Sequence, residues 1–488
     1  MRRHKPAAPL SALPENSSPT HVGIDGEPLA RQFVHESKPG DAMLFRTADL
    51  AHLLLALTLL IACAHIVGHL FARLRQPPVI GEIVGGFLLG PTVLGLVAPD
   101  TATRLFPASG VTSVVIGALY QFGLILLMFL AGGELRIPSG GRERTLVASL
   151  SVSGLLIPFG SALLVAQMLD YTDFSGPRGT PVVFTLVFGV AIAVTSIPVI
   201  SRILLDIGIL NTAFARVVLS VAVIEDVILY VILAVGLGLV QARSESAFGL
   251  WALIGVDSVV YSSVYYIVMA LVFFAVFLAV GGRIFRWLAA NRFNALERRN
   301  ATAFRLVFLL VTVLISVSLG VNPVFGALVA GMSVSRSDTA SGVQEGTEND
   351  KWGTLKRFSL AFFVPIYFAV VGLKLNLVHH FDVLFFLWFF VFACVIKSVS
   401  IWLGARLARE DNKRALTYAV AMNARGGPGI VLATVTFDAQ IINEKFFVAL
   451  VLLSVFSSQI AGFWLDRHYR RHFESPDPVP AEDGREAL

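Results

Sequence analysis

Glu225 and Asp226 stand side by side in 222-AVIEDVILY-230, a run otherwise made of Val, Ile, Leu, Ala and Tyr. Neighbouring carboxylates in apolar surroundings suit the capture of a small cation. A hard alkali cation takes oxygen ligands, and deprotonated carboxylates supply them together with carbonyls and hydroxyls. Proton and metal then compete for the same atoms. Two cationic side chains are also embedded in apolar stretches, Lys397 in 394-CVIKSVS-400 and Arg425 in 422-MNARGGPGIV-431. A charge at the bilayer centre costs about 2.5–3.5 kcal/mol even on the lenient insertion scales. Two negative and two positive groups are therefore expected to meet rather than face lipid. Lys397 would occupy the carboxylates when the metal is absent and release them, or its own proton, when it arrives. Successive helix positions point about 100° apart, so both acids border one cavity only if it is wide, and otherwise one of them is the sole ligand. The competing reading is a salt bridge that merely holds helices together.

Two stretches carry the backbone features of a binding site inside a membrane. A proline within a helical run removes a donor and clashes with the carbonyl four residues back. Pro198 in 193-AVTSIPVIS-201 frees the carbonyl of Val194, and Pro428, after Gly427, frees that of Ala424. Such carbonyls are tolerated at membrane depth only where they line a cavity or find a partner. Thr195, Ser196 and Asn423 add further oxygens. For Arg425 a bracing role, bonding freed carbonyls, competes with a role in ion binding.

These residues need a membrane scaffold, and the composition supplies one. Of 488 residues 56% are hydrophobic and 15% charged, with a mean hydropathy of +0.75, far from a soluble domain. Thirteen apolar segments are read at 49–72, 78–98, 112–133, 146–168, 181–201, 217–241, 260–282, 306–320, 322–335, 359–373, 382–405, 415–436 and 446–465. The expected fold is all-α and polytopic, with a transmembrane domain over 48–466, a polar disordered tail over 1–47 and a short cytoplasmic tail over 467–488. Ten-residue alternating strands of a β-barrel are missing. Lys and Arg concentrate in the loops after odd-numbered segments, which places the N-terminus outside and the C-terminus in the cytoplasm of a plasma or inner membrane. The net charge of +5 thus reflects topology and implies no nucleic-acid partner. On this layout Glu225 and Lys397 both lie about 12 Å from the inner surface.

The segments contain a repeat. 78-PVIGEIVGG-86 matches 323-PVFGALVAG-331, and Phe129 and Gly133 are spaced like Phe368 and Gly372. Both correspondences are seven segments apart, which inverts the second copy: two six-helix halves joined by segment seven. Inverted repeats with paired interrupted helices mark secondary transporters, whose site lies where the halves meet. Glu82 is expected to pair locally with Arg73 or Arg75, and His65 and His69, four apart on one helix face, to serve packing or a subunit contact rather than pH sensing. Cys63 and Cys394 read as small packing residues. Neither a G-x-S-x-G elbow nor an H-E-x-x-H pair is found, and an aspartyl protease needs its two acids on different helices, so no enzyme and no cofactor is expected.

PPVIGEIVGGFLLGPTVLG, FLAGGELRI, AVTSIPVISRILLDIGILNTAFARVVLSVAVIEDV, VNPVFGALVAGMSV, FFVPIYFAVVGLKLNL and MNARGGPGIV resemble successive motifs of the monovalent cation:proton antiporter superfamily, in the branch of Kef-type and bacterial sodium/proton exchangers. The likeness runs over residues 49–465. It implies two crossed, unwound helices in a core domain, a separate dimerisation domain and hence a homodimer, and an elevator-like movement that exchanges Na+ or K+ for H+. By position Asp226 matches the superfamily's ion-binding aspartate and Lys397 the basic residue of the helix before the second crossing. Glu225 takes a place held by Asp, Asn or Gln in relatives, and its longer reach leaves the charge moved per cycle open. A nucleotide-binding domain like that of ligand-gated Kef systems is not expected after residue 466, where no G-x-G-x-x-G follows. The alternative on the same scaffold is a channel-like cation efflux system or a sodium-coupled organic-solute transporter.

Overall fold

The computed structural model describes residues 47–472 except 75, 135–142, 208, 210–211, 242–248, 251–258, 292–293 and 341–350. Fifteen helices matter for the site: α1 Thr47–Arg73, α2 Pro78–Leu89, α3 Val111–Glu134, α4 Arg144–Ala166, α5 Pro181–Ala193, α6 Ile197–Asp206, α7 Ala213–Gln241, α8 Val259–Ala290, α9 Ala301–Ser318, α10 Pro323–Ala340, α11 Val364–Leu373, α12 Val383–Leu407, α13 Asn412–Ala421, α14 Gly426–Asp438 and α15 Glu444–His472. Among the described residues, ten helices are long and apolar enough to cross a membrane, where thirteen segments are predicted. The shortfall has physical causes. Segments 181–201 and 415–436 are broken, into α5 with α6 and α13 with α14. The third, α10, carries Ser333, Ser335, Arg336 and Asp338 in its second half. The last helix also runs past residue 466 to His472.

The inverted repeat is visible in how glycines let helices touch. A Cβ on Gly86 would lie 1.8 Å from the carbonyl oxygen of Ala369, and one on Gly372 would lie 1.9 Å from that of Ile83, so α2 and α11 meet backbone to backbone. The other pair repeats the pattern: Gly331 against Phe129 O and Gly132 against Leu328 O, both 2.0 Å. α2 thus packs on α11 as α10 packs on α3. The register differs by one from the spacing read in the sequence. Gly132, rather than Gly133, is the counterpart of Gly372, and Phe129 answers to Ala369. Gly133 instead makes room for the indole of Trp352.

Two further expectations meet the structure here. Glu82 forms no ion pair with Arg73; its Oε2 is buried without a hydrogen-bond partner among the described residues, and Arg75 lies outside them. His65 has a structural task. Pro365 on α11 clashes with the carbonyl four residues back, that of Ala361. The chain widens into a π turn over Ser359–Phe363, and His65 Nε2 donates to Ala361 O at 2.9 Å.

Candidate functional site

The site forms where the two broken helices cross. α5 ends at Ala193 and α6 begins at Ile197, while α13 ends at Ala421 and α14 begins at Gly426. The chains between them clasp each other: Ser196 N donates to Ala424 O at 2.6 Å, and Thr195 Oγ1 to Met422 O at 2.9 Å. Pro428 therefore frees the carbonyl of Ala424 as expected, and the crossing strand takes it up. Gly426 turns with a positive φ of 38°, and a Cβ there would strike Val199.

Both cations settle at the carbonyl end of α5. The last carbonyls of a helix lack intrahelical donors and carry the negative pole of the helix dipole. Lys397 Nζ donates to Ala193 O at 2.5 Å. The Arg425 guanidinium bonds Ala191 O at 3.3 Å, Ile192 O at 3.1 Å and Ala393 O at 2.9 Å, with Asn423 Oδ1 at 3.1 Å. Among the described residues it makes no hydrogen bond to either acid; its bonds go to the carbonyls of both crossing segments and of α12. Asn423 in turn donates to Ser398 Oγ and Ala419 O.

The two acids part company. Glu225 is fully buried. Its oxygens take Lys397 Nζ at 2.8 and 2.9 Å and Thr195 Oγ1 at 3.2 Å. Asp226, 100° round the helix, turns the other way into a cavity of about 30 Å³ shared with Tyr230, Leu328, Glu134, Gly427 and Pro428. Its Oδ1 is buried with no hydrogen-bond partner among the described residues. Ile197 and Gly427, from the first turns of α6 and α14, also line this cavity, so the positive ends of two helix dipoles lie near the carboxylate. One wide cavity holding both acids is not what forms. The Pro198 side chain lies outside the described residues; its backbone is the second residue of α6.

One contributor goes unread in the sequence. Pro158 lies inside α4 and by the same clash exposes the carbonyl of Gly154, which receives Lys397 Nζ at 3.4 Å. A Cβ on Gly154 would lie 2.2 Å from Glu225 Oε1. The signal is a proline inside an apolar run, as at Pro198, Pro365 and Pro428, here without a partner in the repeat.

Two broken helices crossing beside buried carboxylates, inside an all-helical membrane bundle, define a secondary transporter of the antiporter fold. The solved sodium proton antiporter MjNhaP1 of Methanocaldococcus jannaschii superposes with a TM-score of 0.59 at 17% identity, over 86% of this chain and 98% of that one, a likeness in fold. The chain belongs to the family described as "Sodium/hydrogen exchanger, transmembrane", which matches residues 56–469. It is similar to the Na+/H+ antiporter NhaS4 of Synechocystis sp., 26% identical over 85% of this chain and 97% of that protein. It is also similar to the K+/H+ antiporter 1 of Saccharomyces cerevisiae, 28% identical over 85% of this chain and 46% of that one. The chain is accordingly an integral membrane protein of a transporter family, and no enzyme.

Proposed function

We propose that the protein exchanges Na+ or K+ for protons by alternating access, with Asp226 as the carboxylate that takes cation and proton in turn. The observation that carries this reading is the orphaned Asp226 Oδ1 in its cavity. A buried ionised oxygen without a partner is costly, and either a proton or a cation removes the cost. Both species therefore fit the same place and exclude each other there. Glu225, closed off by Lys397, joins the cation only when Lys397 lets go, so the pair balances charge beside the exchanging group. Thr195, Ser196, Asn423, Gly427 and Pro428 shape the crossing, and Arg425 keeps it open. The named relatives include both a Na+/H+ and a K+/H+ antiporter, so the cation is assigned as monovalent. The basic loops support a cytoplasmic C-terminus, and the resemblance supports a homodimer.

The test is transport by purified protein in liposomes with a trapped pH dye and an imposed proton gradient. Na+, K+ and Li+ are added in turn to wild type and Asp226→Asn. Collapse of the gradient by a cation in wild type alone supports the reading. Cation flux without proton movement points to the channel-like alternative, and equal exchange in Asp226→Asn overturns the assignment.

A further inference from the structure

The path from the Asp226 cavity to the opposite face can be followed on four helices. A second cavity, of about 370 Å³, is lined on α3 by Gln121 and Leu124, where the Asp226 cavity is lined by Leu127 and Met128. On α14 the same step leads from Asp438 and Val435 to Val431 and Pro428, on α7 from Ala234 to Tyr230, and on α10 from Val324 to Leu328. Each step is three or four residues, one turn or about 5 Å. The two cavities therefore lie end to end with a single turn of side chains between them.

The wider end is tied across the path by polar contacts. Asp438, at the last position of α14, accepts from Tyr120 Oη of α3 at 2.8 Å and from Lys374 Nζ, just past α11, at 2.8 Å. Lys374 also lies over the Tyr120 ring, 4.2 Å from its centroid. One turn below, the Tyr367 hydroxyl of α11 bonds Thr434 Oγ1 of α14 at 2.9 Å, and Tyr120 and Tyr367 stack at 5.3 Å. The three hydrogen bonds join α14 to α3 or α11, and the two ring contacts tie α3 to α11. At the other end Glu134, the last residue of α3, pairs at 2.7 Å with Lys356, on the helix Lys351–Phe358 that leads toward α11, so that pair does not involve α14. By the repeat register Glu134 and Lys374 are counterparts, each two residues past the matched Gly132 and Gly372.

We propose that Asp438, held by Tyr120 and Lys374 with Tyr367 and Thr434 beneath, is the clasp that shuts this end of the path, and that its release is the step that opens Asp226 to this face. These are positioning residues: they set which face the site meets and touch no transported ion. A hydrogen-bonded charge pair is among the stronger polar contacts. It biases a two-state equilibrium by as much as it favours one state.

The inference rests on alternating access as proposed above, and its readout is access rather than transport, so it is judged separately from the cation assignment. Val431→Cys, in the Asp226 cavity, is exposed to a membrane-impermeant thiol reagent applied to the Asp438 face, and labelling is read by mass spectrometry of its peptide. Asp438→Asn is expected to raise the labelling rate roughly five- to tenfold, and Tyr120→Phe, which removes one hydroxyl, to raise it less. Lys374→Glu with Asp438→Lys should restore the slow rate. Labelling at the wild-type rate in both Asp438→Asn and Tyr120→Phe, or a reversed pair that labels as fast as Asp438→Asn, overturns the proposal.

Discussion

Gly154→Ala reaches the site without removing any group that bonds in it. The added Cβ would lie 2.2 Å from Glu225 Oε1 and 2.9 Å from Ile401 Cδ1. A real Cβ keeps at least 3.0 Å, so the carboxylate must retreat by 0.8 Å or more. It has little room to do so, because Glu225 and Lys397 are both wholly buried and their two contacts are 2.8 and 2.9 Å. Loss of one charge-assisted hydrogen bond amounts to about 1.5–3 kcal/mol, and that is the destabilisation expected. The assay is thermal unfolding in detergent, followed by size-exclusion chromatography, with proteoliposome exchange measured in parallel. Glu225→Asp withdraws the carboxylate by one bond, about 1.5 Å, and so makes space for the methyl group. In the double variant Gly154→Ala/Glu225→Asp the two losses should fall short of additivity by about 0.5–3 kcal/mol, as for residues in contact. A Gly154→Ala protein with wild-type melting and exchange, or strict additivity in the double variant, would refute the reasoning.

Other variants separate the charges. Lys397→Met leaves Glu225 buried and unpaired and should cost about 3–5 kcal/mol, whereas Lys397→Met with Glu225→Gln removes both charges and should recover most of it; melting in detergent decides. Arg425→Lys replaces a planar fork by a point charge, so it cannot span the carbonyls of Ala191, Ile192 and Ala393 together; a loss of about 3 kcal/mol is expected from two charged hydrogen bonds, again read by melting. His65→Ala orphans the carbonyl of Ala361 at a cost of about 1–3 kcal/mol, and His65→Gln, which keeps a donor, should cost less in the same assay.

Much of the site could be read from residue types because its rules are local. A proline acts on the carbonyl four residues back wherever it stands, so the breaks at 194–196 and 422–425 and the fate of the Ala424 carbonyl follow from Pro198 and Pro428. The meeting of Glu225 with Lys397 follows from the cost of burying either alone. What stayed hidden depends on rotation about helix axes and on neighbours remote in the chain. Nothing in the pair Glu225–Asp226 says which acid faces the lysine and which the cavity. Gly154 is one of 41 glycines, and only the packing of α4 on α7 sets it against the carboxylate. Gly132 and Gly133 are equal candidates for the counterpart of Gly372 in the sequence, and only backbone contact tells the two apart. The Ala361 carbonyl required both Pro365 and a histidine nearly 300 positions away. Asp438, Tyr120 and Lys374 come from three segments and share no motif.

Competition of proton and cation at Asp226 is read out by calorimetric titration of purified protein with Na+ or K+ in weakly buffered solution, with the released protons counted. Proton release on cation binding is expected in wild type, and neither binding nor release in Asp226→Asn. Cation binding by Asp226→Asn with the same proton release would contradict it.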